Sequence, residues 1–229
     1  MEVKKKTILI VAAHSDDDAF GCGGTIVKLS KNNNKIFAIY FTDGVSARNN
    51  KKDLNKNIAQ RKKNTNNAAK ILGIKKFSYC LYPDNKLDSV SLLEIVQRIE
   101  EEISIVKPDI IFTHFDNDLN IDHRIINKAV ITATRPKPKN RVKKILLFET
   151  LSSTEWNFSS NKVNFNPNYF VDISKTIDKK IKAIRSYKNE ICSWPHPRSL
   201  KGVKILAMFR GQSVGLELAE GFQLLREND

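Results

Sequence analysis

The chain has 229 residues, 41% hydrophobic and 28% charged, an ordinary balance for a folded globular protein and enough length for one sizeable core. Its 39 Lys and Arg outweigh 25 Asp and Glu, for a formal charge of +14, but the lysines come in ones to threes among many asparagines, with no basic stripe interleaved with aromatics. That argues against a nucleic-acid partner and for a solvated basic surface, with steering of an anionic substrate as the functional alternative.

Lys4 to Lys6 precede the apolar run Ile8 to Ala13, an arrangement that superficially resembles the start of a secretion signal. The run is too short, and it meets His14 and three aspartates at once. Thr7 to Ala13 therefore reads as a strand buried on both faces. Further strand-length runs follow at Lys35 to Thr42, Lys76 to Tyr82, Asp109 to Thr113 and Lys143 to Thr150.

Helical segments lie between them at Thr25 to Ser30, Asn55 to Leu72 ending at Gly73, Ser91 to Val106 ending before Pro108, and His123 to Thr134 ending before Pro136. Alternation of this kind predicts right-handed βαβ units: a Rossmann-like three-layer α/β sandwich with a mostly parallel sheet, as a single domain over residues 1–229. In such a sheet, ligands bind beyond the carboxyl ends of the strands.

The C-terminal third is less regular, with one helix expected at Ser174 to Asn189 and a loop at Trp194 to Pro197. Asn49 to Lys56 and Pro136 to Arg141 read as exposed loops. No run approaches a membrane span. Cys22, Cys80 and Cys192 form no CxxC pair, which fits a reducing cytoplasmic setting and neither a disulfide framework nor a cysteine metal site.

The chemistry concentrates where strands end. The first strand runs straight into His14-Ser15-Asp16-Asp17-Asp18, and three adjacent carboxylates at the mouth of a sheet repel one another unless a cation neutralises them. Two of the four histidines fall after the Asp109 to Thr113 strand, His114 directly and His123 at the end of Asp118-Leu119-Asn120-Ile121-Asp122-His123. If both strand ends face one crevice, His14, Asp17 and His123 supply two nitrogens and one oxygen, a set suited to Zn2+ with a fourth position open to water. Such a site brings the pKa of water to about 7, and Asp16, a carboxylate left outside the ligand set, could take its proton.

The segment His14 to Thr25 resembles the His-Pro-Asp-Asp-Glu signature of the PIG-L/LmbE family of zinc-dependent N-acetylglucosamine deacetylases. Other matches run along the chain: Phe41-Thr42-Asp43-Gly44, Arg61 with Ala68-Ala69, Tyr82-Pro83-Asp84, the Asp118 to His123 segment, Phe148-Glu149 and His196-Pro197-Arg198-Ser199. The resemblance implies zinc on His14, Asp17 and His123, Asp16 as general base and acid, and Arg61 and Asp84 as contacts to sugar hydroxyls. Asn120, His196 and Arg198 complete the expected substrate-binding set.

Three departures matter. Ser15 replaces a proline and Asp18 a glutamate, mild changes that keep a tight turn and a carboxylate, while Asn120 more seriously replaces a histidine held to stabilise the oxyanion. That role would pass to the Asn120 amide, to His114, to His196 or to the metal. The expected substrate is a small amino-sugar molecule, either free or nucleotide-linked for surface polysaccharide synthesis. The alternatives are a thiol-sugar conjugate or glycosylated natural product cleaved as an amide and, from a different class, a basic nucleic-acid-binding module. An assembly of identical copies is compatible with all of these.

Overall fold

The computed structural model describes residues 3–47, 53–136, 142–158 and 163–228. Most of the expected Pro136 to Arg141 loop and residues 49–52 of the other lie outside these. Five strands, β1 (Thr7–Ala12), β2 (Lys35–Thr42), β3 (Lys76–Tyr82), β4 (Ile110–His114) and β5 (Lys144–Phe148), pair in parallel. Two C-terminal strands that the sequence reading did not place, β6 (Tyr169–Asp172) and β7 (Ala219–Glu227), extend the sheet with antiparallel pairing.

The sheet order is β3-β2-β1-β4-β5-β7-β6. From β1 the chain first builds outward to β2 and β3, then returns to lay β4 on the other side. The ends of β1 and β4 are therefore the topological switch point, where a crevice opens because the flanking connections leave in opposite directions.

β1 shows why its sequence is apolar from Ile8 onward. Ile8, Ile10 and Ala12 face one core, shared with α1 (Asp17–Lys31), α2 (Leu54–Leu72), α5 (Ile177–Ile184) and α6 (Leu200–Gln212). Leu9, Val11 and Ala13 face the other, shared with α3 (Leu92–Val106) and α4 (Ile121–Ala133). Side chains alternate across a strand, so helices on both faces leave no position for a polar residue.

Two helices differ from expectation, and α6 lies where no helix was expected. α1 begins at Asp17 rather than Thr25, because Asp17 and Asp18 sit in its first turn, where carboxylates suit the positive end of a helix. It is broken at Cys22 (φ −138°, ψ 19°), and the break leaves backbone N–H groups without helical partners. The Gly24 and Thr25 N–H groups donate instead to the two carboxylate oxygens of Glu220 on β7, at 2.9 and 2.7 Å. Gly24 is required here, since a Cβ would lie 2.7 Å from Ile173. α5 is shorter than the expected Ser174 to Asn189. The N–H and Oγ of Ser174 both bond Asp172 Oδ1, turning the chain before the helix starts.

Lys180 completes this plug. Its Nζ donates to Glu220 Oε1 (2.6 Å) and to the Phe20 carbonyl (2.7 Å), all buried. Lys180→Met is therefore expected to destabilise the protein by roughly 3 kcal/mol or more, because it strands a buried carboxylate. Chemical denaturation checks this, and a loss under about 1 kcal/mol would show that the backbone donors alone satisfy Glu220.

All three cysteines are unpaired. No helix among the described residues is long and apolar enough to cross a membrane.

Candidate metal centre and active site

The parallel pairing of β1 with β4 sets Ile10 beside Phe112, so the residues that follow each strand meet at the switch point. His14 Nδ1, His123 Nε2 and Asp17 Oδ2 form a triangle with sides of 3.2 Å (His14 to His123), 3.1 Å (His14 to Asp17) and 3.4 Å (His123 to Asp17). All three residues are buried.

Two imidazole nitrogens facing each other at 3.2 Å cannot both carry protons without repulsion. Yet the surroundings demand positive charge. Burial pushes the His123 pKa down, but Asp17 and Asp118 overcome it and hold it at about 9. His14 is likewise raised, against burial, by Asp17, Asp122 and Asp84. A cation shared by the three resolves the conflict. A tetrahedral ion with bonds of about 2.0–2.1 Å sets its ligand atoms about 3.3–3.4 Å apart, close to the sides observed. Asp17 Oδ1 is also buried without a hydrogen-bond partner. The donor set thus fits a divalent metal of the zinc type, two imidazoles and one carboxylate.

Each imidazole turns its other nitrogen to a carboxylate. Asp84 Oδ1 lies 3.0 Å from His14 Nε2, and Asp118 Oδ1 lies 3.1 Å from His123 Nδ1. Carboxylates in this position fix ring orientation and raise ligand basicity. Asp118 is fastened in turn by the Ser153 hydroxyl, by Thr154 Oγ1 (2.6 Å) and by the Asn120 N–H (2.8 Å). Asp122 accepts from the N–H groups of Asn85 (2.8 Å) and Leu87 (2.9 Å), holding the loop that carries Asp84.

Asp16 sits beside the triangle with its carboxylate gripped by two guanidiniums: Oδ1 by Arg61, Oδ2 by Arg198 at 3.0 Å. Burial raises its pKa, but Arg61 and Arg198 outweigh that and lower it, so Asp16 is ionised at neutral pH. Arg61 also donates to Glu190 Oε1 (2.7 Å) and, through Nε, to Ser15 Oγ (3.0 Å). Ser15, the residue in the proline position, thereby helps aim Arg61. Gly44 (φ +66°) lets the chain turn against that guanidinium, 3.3 Å from where a Cβ would stand. Asp18 faces away and accepts from the Tyr40 hydroxyl at 2.6 Å. Burial drives its pKa up to about 7.

His14, His123, Asp16, Asp84, Arg61 and Arg198 are among the residues that line a cavity of about 320 Å³. Its charged wall consists of Asp16, Asp84 and Glu190 against Arg61 and Arg198, with Asn85, Asn120, Ser152 and Ser153 supplying neutral donors and acceptors. Asn120 lines it while also capping α4, its Oδ1 accepting from the Asp122 N–H at 2.8 Å.

His196 is not brought into the cavity wall. Its Nδ1 accepts from the Arg198 N–H (3.1 Å), and its ring packs edge-on against Trp156. Nor does His114 line the cavity: it is fully buried, its Nε2 accepts from the Ala13 N–H (3.0 Å), and burial lowers its pKa to about 4. It stacks on His123 at 3.9 Å as a neutral support. Sequence reasoning assigned no role to Asp118, Asp122 or Glu190. Only the first two carried a local signal, as acids within five residues before His123 after a strand.

The family model of the GlcNAc-PI de-N-acetylases, PIG-L, matches residues 9–134, more than half of the chain. The chain belongs to the PIG-L deacetylase family. It is 28% identical over 194 residues to an uncharacterised deacetylase, YaiS, of Escherichia coli K12, covering 81% of this chain and 92% of that protein. It is 25% identical to the diacetylchitobiose deacetylase of Thermococcus kodakarensis, covering 96% of this chain and 83% of that one. Among solved structures, the N,N'-diacetylchitobiose deacetylase of Pyrococcus horikoshii superposes with a TM-score of 0.78 at 24% identity, over 96% and 84% of the respective chains. This PIG-L member is accordingly an amide hydrolase of the deacetylase type.

Proposed function

We propose that the protein removes the acetyl group from the nitrogen of an N-acetylated amino sugar or sugar conjugate, using zinc held by His14, Asp17 and His123. The carrying observation is the buried triangle of two imidazole nitrogens and one carboxylate oxygen, with sides of 3.1–3.4 Å and the ionised Asp16 at its flank. When bound, zinc supplies Lewis acidity that polarises an amide carbonyl and makes water a competent nucleophile near neutral pH.

The chain's own groups do the rest. Asp16 accepts the proton of the attacking water and returns it to the departing sugar amine. Its grip by Arg61 and Arg198 keeps it deprotonated before reaction and fixes its direction. A carboxylate held so is a weak base, so substrate hydroxyls that draw the guanidiniums away would restore its basicity. The Asn120 amide, on the cavity wall three residues before His123, is a neutral donor within the site. Arg198, Asp84 and Arg61 supply the polar wall against which sugar hydroxyls are oriented.

The wall's charges nearly balance, which suits a neutral sugar better than an anion. The test is a screen of acetylated amino sugars for released acetate. Removal of metal by a chelator is expected to lower the rate by at least a hundredfold, and about one equivalent of zinc per chain to restore it. Equal rates in chelated and zinc-loaded protein would defeat the metal role.

A further inference from the structure

The Arg61–Glu190 pair that closes one side of the catalytic cavity also lines a smaller recess of about 80 Å³ on its outer side. That recess shares Gln60, Asn64 and Asn189 with a wide groove of about 610 Å³ between α2 and the end of α5 with the chain that follows it. The three hollows follow one another down the flank of the molecule, the first two divided by the Arg61–Glu190 ion pair and the last two adjoining at Gln60, Asn64 and Asn189.

The two banks of the groove differ in chemistry. On α2, Gln60, Asn64, Asn67 and Ile71 follow a 4-3-4 spacing, so they make one stripe along the helix. From Arg61 to Ile71 this bank runs about 15 Å, more than a single sugar in the cavity would need. Side-chain amides offer donor and acceptor together, as sugar hydroxyls require. On the opposite bank Lys182, Arg185 and Lys188 are exposed and border the same groove. None of these three has an acidic partner among the described residues. The catalytic cavity itself is nearly charge-balanced, whereas this bank offers an anion three cations.

We propose that this groove binds the part of the substrate beyond the acetylated sugar, a glycan or glycosyl carrier bearing a phosphate or carboxylate. The amide stripe takes its hydroxyls, and Lys182, Arg185 and Lys188 take its negative charge. The assignment names the substrate class of the deacetylase site and rests on that reading.

The test compares the wild type with a K182E/R185E/K188E variant, using three compounds: free N-acetylglucosamine, the same sugar on a nucleoside diphosphate, and an N-acetylated disaccharide containing a uronate. Binding is read by calorimetry and turnover by acetate release. The expected result is that the wild type prefers an anionic compound. The variant should bind it on the order of tenfold more weakly and raise its KM, with kcat and the neutral sugar unchanged. Loss confined to the nucleotide sugar assigns phosphate; loss confined to the uronate assigns carboxylate. A K182Q/R185Q/K188Q variant repeats the measurement with the charges removed rather than reversed, in case reversal perturbs folding. Equal wild-type affinity for neutral and anionic compounds, or unchanged anion binding in both variants, overturns the proposal. Absence of acetate from every compound, with the binding pattern intact, sinks the deacetylase reading instead and leaves the groove assigned.

Discussion

Asp16→Asn is expected to retain its metal and to lose about a thousandfold in kcat, within the 10²–10⁴ range that a positioned proton carrier supplies. The side chain sits beside the metal triangle, but neither carboxylate oxygen belongs to it; both are engaged by Arg61 and Arg198. Asparagine keeps the size and one acceptor oxygen, but it can take no proton from water and return none to the amine. It also removes one negative charge from between a buried guanidinium and a half-buried one, leaving Glu190 and, 3.9 Å from Arg198, Asp17 as their remaining carboxylates. A modest fall in thermal stability should therefore accompany the loss. Metal stoichiometry and kcat, measured on one preparation, separate the cases. Metal lost with activity would make Asp16 a ligand. Activity retained would move the base elsewhere on the wall, with Asp84 the nearest alternative because it already faces His14.

His123→Ala should do the reverse: metal is lost first and turnover fails because of it. His123 contributes one of three donors, and two donors hold a divalent ion far more weakly. The substitution also deprives Asp118 of the imidazole that helps hold its pKa at about 2 against burial. The free protein should then lose stability from a buried, less compensated carboxylate, as well as the stabilisation conferred by metal binding. Acetate release is expected to fall below detection, and one equivalent of added zinc should not restore it. Full zinc occupancy in this variant would mean that the ion sits on the neighbouring group of His14, Asp84 and Asp122, whose ligand atoms also converge.

The residues that could hold a metal stood out in the chain because each stands immediately beyond a buried strand or in the first turn of the helix after it. Their types are the nitrogen and oxygen donors that zinc takes. The orienting groups were not readable with the same clarity. Asp118 and Asp122 lie in the motif, but an acid before a helix serves equally as a cap. Only the 3.1 Å approach of Asp118 to His123 separates those roles. Glu190 lies in a short turn after α5 and reaches Arg61 across 129 residues of sequence. Ser15 and His114 show the converse. A serine in a proline position reads as a mild change until it is seen aiming Arg61, and a histidine ending a strand reads as a candidate for the oxyanion role until its Nε2 is found on the Ala13 N–H.

Strand and helix alternation, and with it the layered parallel sheet, follows from side-chain patterns a few residues long, because burial on two faces dictates an unbroken apolar run. The same local logic placed acids and histidines at strand ends. What lies outside the reach of neighbouring residues is distance across the sheet. His14 and His123, 109 positions apart, come within 3.2 Å of each other because β4 returns beside β1 rather than extending the sheet past β3. That choice of neighbour is made by packing of the whole sheet against helices on both faces. It also decided which carboxylates orient the ligands, which arginines grip Asp16, and that the amide stripe of α2 continues outward from the same site.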